Sequence, residues 1–240
     1  PAFGIGAGGD GDLQPTFQPG QKFGLQPIDP RDPAVAWLAA AKQHGSIDVI
    51  GPLGTPFSYP TKLTNCLLVS EGLGSASMHF LAQDLRTNGK RVDMVVGATT
   101  QDEIFKIIDG KRLSAAITIV TADGSAGERG VIADVLAGAV DEGRIEVIYA
   151  AGPRRMLHAV ARFCAERRIP SQIAVDAPMA CGTGLCFTCV VPIAERDGVG
   201  FQHLRACTEG PVFNPARVLW ERWLGPEDLA EPSATGEEER

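Results

Sequence analysis

Several things are scarce or missing in this sequence, and each absence narrows what it encodes. No run of 18 apolar residues occurs in the 240-residue chain, so no membrane-spanning helix is expected. Lys and Arg number 22 against 29 Asp and Glu, a formal net charge of −7, and no basic cluster stands out. Nucleic-acid binding is therefore not expected. No secretory signal with an apolar core stands at the start. Disulfides are accordingly disfavoured and the expected location is cytoplasmic. Histidine occurs only as His44, His79, His158 and His203, none in a recognisable relation to a lone reactive thiol. Nucleophilic Cys–His chemistry is thus a poor reading, and no catalytic residue is assigned. The chain opens on Pro1 rather than Met, and the expectation is a processed or cut N-terminus.

What remains is ordinary for a globular protein: 44% hydrophobic and 21% charged residues. The length allows one large domain or two to three small ones. Six cysteines are present, and four of them form a pattern. Within Met179-Ala-Cys-Gly-Thr-Gly-Leu-Cys-Phe-Thr-Cys189, Cys181, Cys186 and Cys189 read C-x4-C-x2-C, and Cys207 follows after 17 intervening residues. This is the plant-type ferredoxin spacing for a 2Fe–2S cluster. Two irons need four thiolates, and three must come from one loop wrapped closely around the cluster. Gly182 and Gly184 lack Cβ, so that loop bends tightly and its N–H groups approach the bridging sulfides. Structural zinc, the first alternative, favours paired knuckles, whereas here three cysteines share one loop. A disulfide pair is the second alternative. Cys66 and Cys164 sit beside apolar residues and read as buried thiols. His203, near Cys207 in sequence, reads as a plain loop residue, with a place beside the cluster as the alternative.

Taken in order, residues 1–30 are rich in Gly and Pro and read as a flexible segment, not a phosphate loop, because no strand precedes the glycines and no amphipathic helix follows. A short helix is expected from Pro33 to Lys42 and a strand from Ser46 to Ile50. Residues 63–165 then alternate between strand and helix. Strands are expected at Leu63–Val69, Arg91–Gly97, Ala115–Thr121 and Ile145–Ala150. Helices are expected at Ser75–Asn88, Gln101–Ile108, Val131–Ala139 and Arg154–Arg168. Such alternation predicts a mainly parallel sheet with helices on both faces and ligands beyond the carboxyl ends of the strands. The turns around Gly72, Gly124 and Gly152 all fall at those ends. Gly72, Gly74, Asp123, Gly124, Gly152 and Pro153 are therefore the candidate cofactor-binding residues. Ser70-Glu-Gly-Leu-Gly-Ser75 is only a fragment of a dinucleotide fingerprint, however, and glycines required by strand-to-helix turn geometry alone are the alternative. Further on, Gln172–Val175 and Cys189–Ile193 are expected as strands flanking the cysteine loop. A compact turn is expected at Gly210–Asn214 and a helix from Pro215 to Leu224 bearing Trp220 and Trp223. Residues 226–240 are acidic and polar and expected to be disordered.

Four blocks in this order resemble the electron-transfer subunit of the two-subunit, NAD-dependent dihydroorotate dehydrogenase, within the ferredoxin–NADP reductase-like flavoproteins. They are Asp48-Val-Ile-Gly-Pro-Leu-Gly54, Thr121-Ala-Asp-Gly-Ser-Ala-Gly127 with Gly130, Tyr149-Ala-Ala-Gly-Pro-Arg-Arg-Met-Leu157, and the cysteine loop ending in Cys207-Thr-Glu-Gly-Pro-Val-Phe213. The resemblance implies an α/β protein divided as a truncated flavin-barrel remnant (1–60), an NAD-binding-like parallel-sheet domain (61–168), a small 2Fe–2S domain (169–225) and a tail (226–240). It implies three cofactors: a 2Fe–2S cluster on Cys181, Cys186, Cys189 and Cys207, FAD, and NAD. It also implies a catalytic, flavin-containing dehydrogenase partner that oxidises dihydroorotate in pyrimidine biosynthesis, assembled with this subunit as a heterotetramer. Related subunits serve ferredoxin:NADP transhydrogenases and sulfide dehydrogenases, and these remain alternatives. A non-catalytic binding protein stapled by its metal is another.

The sequence departs from the family pattern in three places. Fifty residues precede Gly51, where the family has a β-barrel of roughly ninety or more. Its Arg-Pro-x-Ser flavin strand is missing, as is a Gly-Thr or Gly-Ser pair near Ala34-Val35. The expectation is a shortened barrel, a fragment or a diverged subunit. The nucleotide turn reads Ser70-Glu-Gly-Leu-Gly-Ser-Ala-Ser77, where the family usually carries a Gly-rich run ending in Ala-Pro. Glu71 is expected to repel a pyrophosphate there. Ala151 stands where relatives usually carry Cys.

Overall fold

The computed structural model describes residues 37, 40–42, 46, 50–59, 61–62 and 64–225. The expected glycine-rich segment, the helix from Pro33, the barrel remnant and the acidic tail lie wholly or largely outside them.

The strands among the described residues are β1 (Asn65–Glu71), β2 (Arg91–Ala98), β3 (Ala116–Thr121), β4 (Glu128–Arg129), β5 (Val147–Gly152), β6 (Ser171–Val175), β7 (Val190–Ala194), β8 (Phe201–Arg205) and β9 (Val212–Phe213). The helices are α1 (Gly74–Thr87), α2 (Ile107–Leu113), α3 (Ile132–Gly143), α4 (Arg154–Arg167) and α5 (Trp220–Trp223). Seven strands form one sheet in the order β4-β3-β2-β1-β5-β6-β9. Every pairing in it is parallel except β6 with β9. Strands β1, β2 and β5 are buried on both faces, which is why they read as near-continuous apolar runs. Alternation sorts their side chains. Leu67, Val69, Val95, Ile148 and Ala150 enter one core with α3 and α4. Cys66, Leu68, Met94, Val96, Val147 and Tyr149 enter the other with α1. Helix α2 lies beside α1, its Leu113 packed against the same core. Between β1 and β5 the direction of winding reverses, and this switch point is where a doubly wound sheet opens a crevice for a ligand.

Strands β7 and β8 form a hairpin, a separate two-stranded sheet. Its Val191 and Ile193 join the α4-side core together with Cys189, Ala206, Cys207 and Phe213. The cysteine-bearing region therefore shares a hydrophobic core with the large sheet. β6, expected as the entrance to the cysteine loop, pairs along β5 and belongs to the large sheet.

Three expected elements differ. The helix expected at Gln101–Ile108 is a single 3₁₀ turn at Gln101–Glu103, followed by α2 from Ile107. Ile104 is extended and Lys106 takes φ +43°, so the helical path breaks between the two. The compact turn at Gly210–Asn214 holds β9, which borders β6. The helix expected over Pro215–Leu224 splits into a 3₁₀ turn at Pro215–Arg217 and α5. Val218 between them is extended and bridges to Ile193, which exchanges helix continuity for a contact with the hairpin. Trp223 is buried in the core and Trp220 packs against it, its indole N–H donating to the Pro215 carbonyl at 3.1 Å.

Candidate functional site

Two groups of sequence-predicted residues lie in two places. Gly72, Gly74, Gly152 and Pro153 converge at the β1–β5 switch point. There β1 ends, the Gly72-Leu73 turn follows, and α1 begins at Gly74. A Cβ at Gly74 would stand 2.0 Å from the Ala151 carbonyl oxygen. The helix start thus rests directly on β5, and only glycine allows that approach. No side chain caps α1 and no acid lies in its first turn, so the N–H groups of that turn carry no side-chain partner from the helix itself. Pro153 caps α4, which enters the same edge with Arg154 and Arg155 in its first turn. Asp123 and Gly124 lie on this edge too, but after β3, two strands from β1.

Glu71 is not left facing the crevice alone. Its carboxylate accepts from the Arg155 guanidinium at 3.4 Å, its side chain 20% exposed. The repulsion expected from this carboxylate is therefore offset by a cation on the neighbouring helix. Asp123 organises its own loop. It accepts from the Ser125 N–H at 2.9 Å and hydroxyl at 2.6 Å, and these bonds hold its carboxyl below the usual range. The Ser125 hydroxyl oxygen in turn accepts from Gln101 N–H at 2.7 Å, tying the loops after β2 and β3 together.

The second group is the four cysteines. Cys181 and Cys186 lie at the surface of the loop between β6 and β7, and Cys189 and Cys207 are buried at its base. The sulfurs of Cys189 and Cys207 stand 3.3 Å apart. The Thr183 and Cys186 N–H groups both donate to Cys181 Sγ at 3.4 Å. These bonds bring the Cys181 thiol down to about 5, the thiolate form that metal ligands use. Burial, reinforced by Cys189, pushes the Cys207 thiol up. The Thr188 hydroxyl donates to Cys186 Sγ at 3.1 Å. Gly184 has φ +85°, and a Cβ there would come within 2.9 Å of Thr208, so the loop lies against the Cys207 turn as only glycine permits. Among the described residues, no three or more His, Cys, Asp or Glu side chains stand close enough together to hold a metal ion as placed. Four thiols, one of which accepts two backbone N–H bonds, match in type the donor set of an iron–sulfur cluster.

The other cysteines stand apart. Cys66 is buried on the α1 side of the sheet, its thiol pushed up by burial to about 11, and Cys164 is buried on the α4 side. His203 lies on β8 with its ring edge-on to Phe201, and His79 is buried in α1 beside Phe105. Three residues at these sites escaped the sequence reading: Arg155, Arg205 and Glu209. Arg205 donates to the Gly184 carbonyl at 3.0 Å and pairs with Glu209 in several bonds. The signal was available as opposite charges four positions apart astride a ligand-type cysteine.

A family profile described as the iron-sulfur cluster binding domain of dihydroorotate dehydrogenase B matches residues 176–219. The electron transfer subunit of dihydroorotate dehydrogenase B (NAD(+)) from Desulforamulus reducens is 30% identical over 186 residues, covering 77% of this chain and 70% of that one. The corresponding subunit of Shouchella clausii is 35% identical over 184 residues, covering 76% and 68%. Among solved structures, one of the NADH-dependent reduced ferredoxin-NADP oxidoreductase, a flavin-based bifurcating system, aligns with a TM-score of 0.64 at 29% identity. It covers 80% of this chain and 69% of that one.

Proposed function

Because the chain belongs to the family of dihydroorotate dehydrogenase B electron transfer subunits, we propose that it carries electrons from dihydroorotate oxidation on a flavin-containing partner to NAD. It is an oxidoreductase subunit that depends on a catalytic dehydrogenase partner. The family implies a 2Fe–2S cluster, FAD and NAD as its cofactors. The assembly we propose is a heterotetramer of two catalytic and two electron-transfer subunits, acting in the cytoplasm. Among the described residues no helix is long and apolar enough to cross a membrane.

When bound, an iron–sulfur cluster supplies single-electron transfer, and a flavin links it to a nicotinamide that accepts only electron pairs. The chain's own residues supply the rest. Cys181, Cys186, Cys189 and Cys207 would hold the cluster, and the N–H groups of Thr183 and Cys186 keep the Cys181 sulfur anionic. Gly72, Gly74, Gly152 and Pro153 would frame the nucleotide crevice, with Asp123 and Gly124 farther along the same edge. Arg155 pairs with the Glu71 carboxylate and would offset its charge towards a pyrophosphate in the crevice. The segment expected to carry FAD lies largely outside the described residues, and no side chain is assigned to that cofactor.

The cysteine set is the observation that carries this reading. It is tested by purifying the chain anaerobically with its partner and measuring iron, sulfide, flavin and dihydroorotate-dependent NAD reduction. Cluster absorption together with NAD reduction is expected. A preparation free of iron, or one that ignores dihydroorotate, sinks it. The likeness to the ferredoxin-NADP oxidoreductase structure favours a second reading, the same machinery on another partner. Reduction of NAD with reduced ferredoxin but not with dihydroorotate would select it.

The Glu71–Arg155 pair gives a separate expectation. Arg155→Ala leaves the Glu71 carboxylate facing the pyrophosphate, and NADH affinity falls about fivefold, the scale of one partly exposed charge pair. Adding Glu71→Gln restores most of it. NADH titrations at low and high salt check this, because the loss shrinks as salt screens the charges.

A further inference from the structure

We propose that Arg205 and Glu209 form a charge pair that closes the cluster cage and balances its reduction potential. This rests on the reading that Cys181, Cys186, Cys189 and Cys207 hold the cluster. Arg205 ends β8, two residues before Cys207, and touches both parts of the cage. Towards the three-cysteine loop, its guanidinium donates to the Gly184 carbonyl at 3.0 Å and lies 5.0 Å from the Phe187 ring centroid. Towards the fourth cysteine, its Nε donates to Glu209 Oε1 and Oε2 at 3.1 and 3.0 Å, and its Nη2 bonds Oε1 as well. The backbone repeats the link. Arg205 N–H donates to the Glu209 carboxylate at 2.7 Å, and Arg205 carbonyl oxygen accepts from the N–H groups of Thr208, Glu209 and Gly210 at 3.2, 2.8 and 3.1 Å. One fork-shaped cation thus staples the Gly184–Phe187 stretch to the turn that presents Cys207. A point charge such as lysine lacks the planar donors to hold both sides at once.

The pair is also electrically neutral, and neutrality has a consequence. Reduction adds one electron to the cluster. A nearby unpaired cation favours the reduced state, and an unpaired anion opposes it. Arg205→Gln leaves Glu209 uncompensated and lowers the midpoint potential. Glu209→Gln leaves Arg205 uncompensated and raises it. A role limited to holding the loop would move both variants the same way. Each single variant is expected to shift the one-electron equilibrium about tenfold, about 59 mV, in opposite directions. The double variant Arg205→Gln/Glu209→Gln returns close to the native potential. Because the staple is gone, it still releases iron to a chelator about tenfold faster, the lower end of the effect expected for outer-shell partners of a metal site. Arg205→Lys keeps the potential but shares the faster release.

The experiment is a redox titration of the cluster-loaded full chain, followed by electron paramagnetic resonance, alongside iron release to a chelator. Potentials moving in the same direction, or not moving, overturn the balancing role. Unchanged iron release in all four variants overturns the closing role. If the single variants hold no iron, the neutral double variant must hold it, and its failure overturns the proposal. A native chain without iron would instead defeat the cluster assignment on which this inference rests.

Discussion

The Cys207→Ser variant is expected to purify without the visible absorption of an iron–sulfur cluster and to lose partner-dependent NAD reduction. Cys207 is the one member of the set that comes from outside the loop, so its loss opens one side of the cage. It is buried against Cys189, and its turn is held by three N–H groups on the Arg205 carbonyl. No other thiol is available to replace it. Cys66 lies on the opposite face of the sheet and Cys164 belongs to α4, both under apolar side chains. Changes to groups that only support metal ligands cost about 10–100-fold in affinity, so losing a ligand should exceed about 100-fold. Cys66→Ala and Cys164→Ala are the controls. Each creates a small cavity costing about 1 kcal/mol but should keep full iron and activity. Iron analysis and the visible spectrum decide the matter. A Cys207→Ser protein with native iron content would show that the fourth ligand lies elsewhere.

The second large effect concerns two glycines in helices. Gly74→Ala places a methyl group 2.0 Å from the Ala151 carbonyl oxygen, a distance that requires α1 or β5 to move. Overpacking against backbone costs about 3 kcal/mol or more, which for a chain of this size lowers Tm by about 6–12 °C. Because the displaced helix start would frame the proposed nucleotide crevice, NADH affinity should fall with it. Gly138, exposed within α3, has nothing within 4 Å of a built Cβ. Gly138→Ala should therefore stabilise by about 1 kcal/mol through helix propensity and leave the crevice untouched. Thermal melts of the two variants, with NADH titrations, check both signs. Equal melting temperatures would mean that the close approach at Gly74 does not limit the fold.

Much of this architecture was legible because burial on two faces writes itself into sequence. Leu67, Leu68 and Val69, or Val92, Val95 and Val96 around Met94, could only be interior strands once bounded by glycine turns. The cysteine loop was legible for a different reason: thiolate chemistry fixes the spacing, and spacing survives in a sequence as side-chain contacts do not. What stayed hidden depends on tertiary partners. Lys106 carries no mark of its left-handed backbone. Val212 and Phe213 become a strand only because β6 offers an open edge. The helix expected through Val218 is interrupted because Ile193, 25 positions earlier, pairs with it. The pairing of Glu71 with Arg155 was equally invisible, since it joins residues 84 positions apart. Sequence reasoning therefore found the carboxylate and missed its counterion.

The short segment before β1 carries an implication for the order of assembly. Thr55 donates through its N–H to the Gly210 carbonyl at 2.5 Å and through its hydroxyl to the Glu209 carbonyl at 3.1 Å, a link across 154 positions. Ser58 N–H donates to the Gln172 side chain at 3.0 Å, and the Tyr149 hydroxyl donates to the Ser58 carbonyl at 3.2 Å. Contacts so distant along the chain form late, because the intervening polypeptide must first be ordered. The turn bearing Cys207 shares its core with the large sheet and is tied to Thr55. A cage closed by that turn would therefore be completed only once these distant segments have met, unlike that of small zinc modules, which fold around their metal.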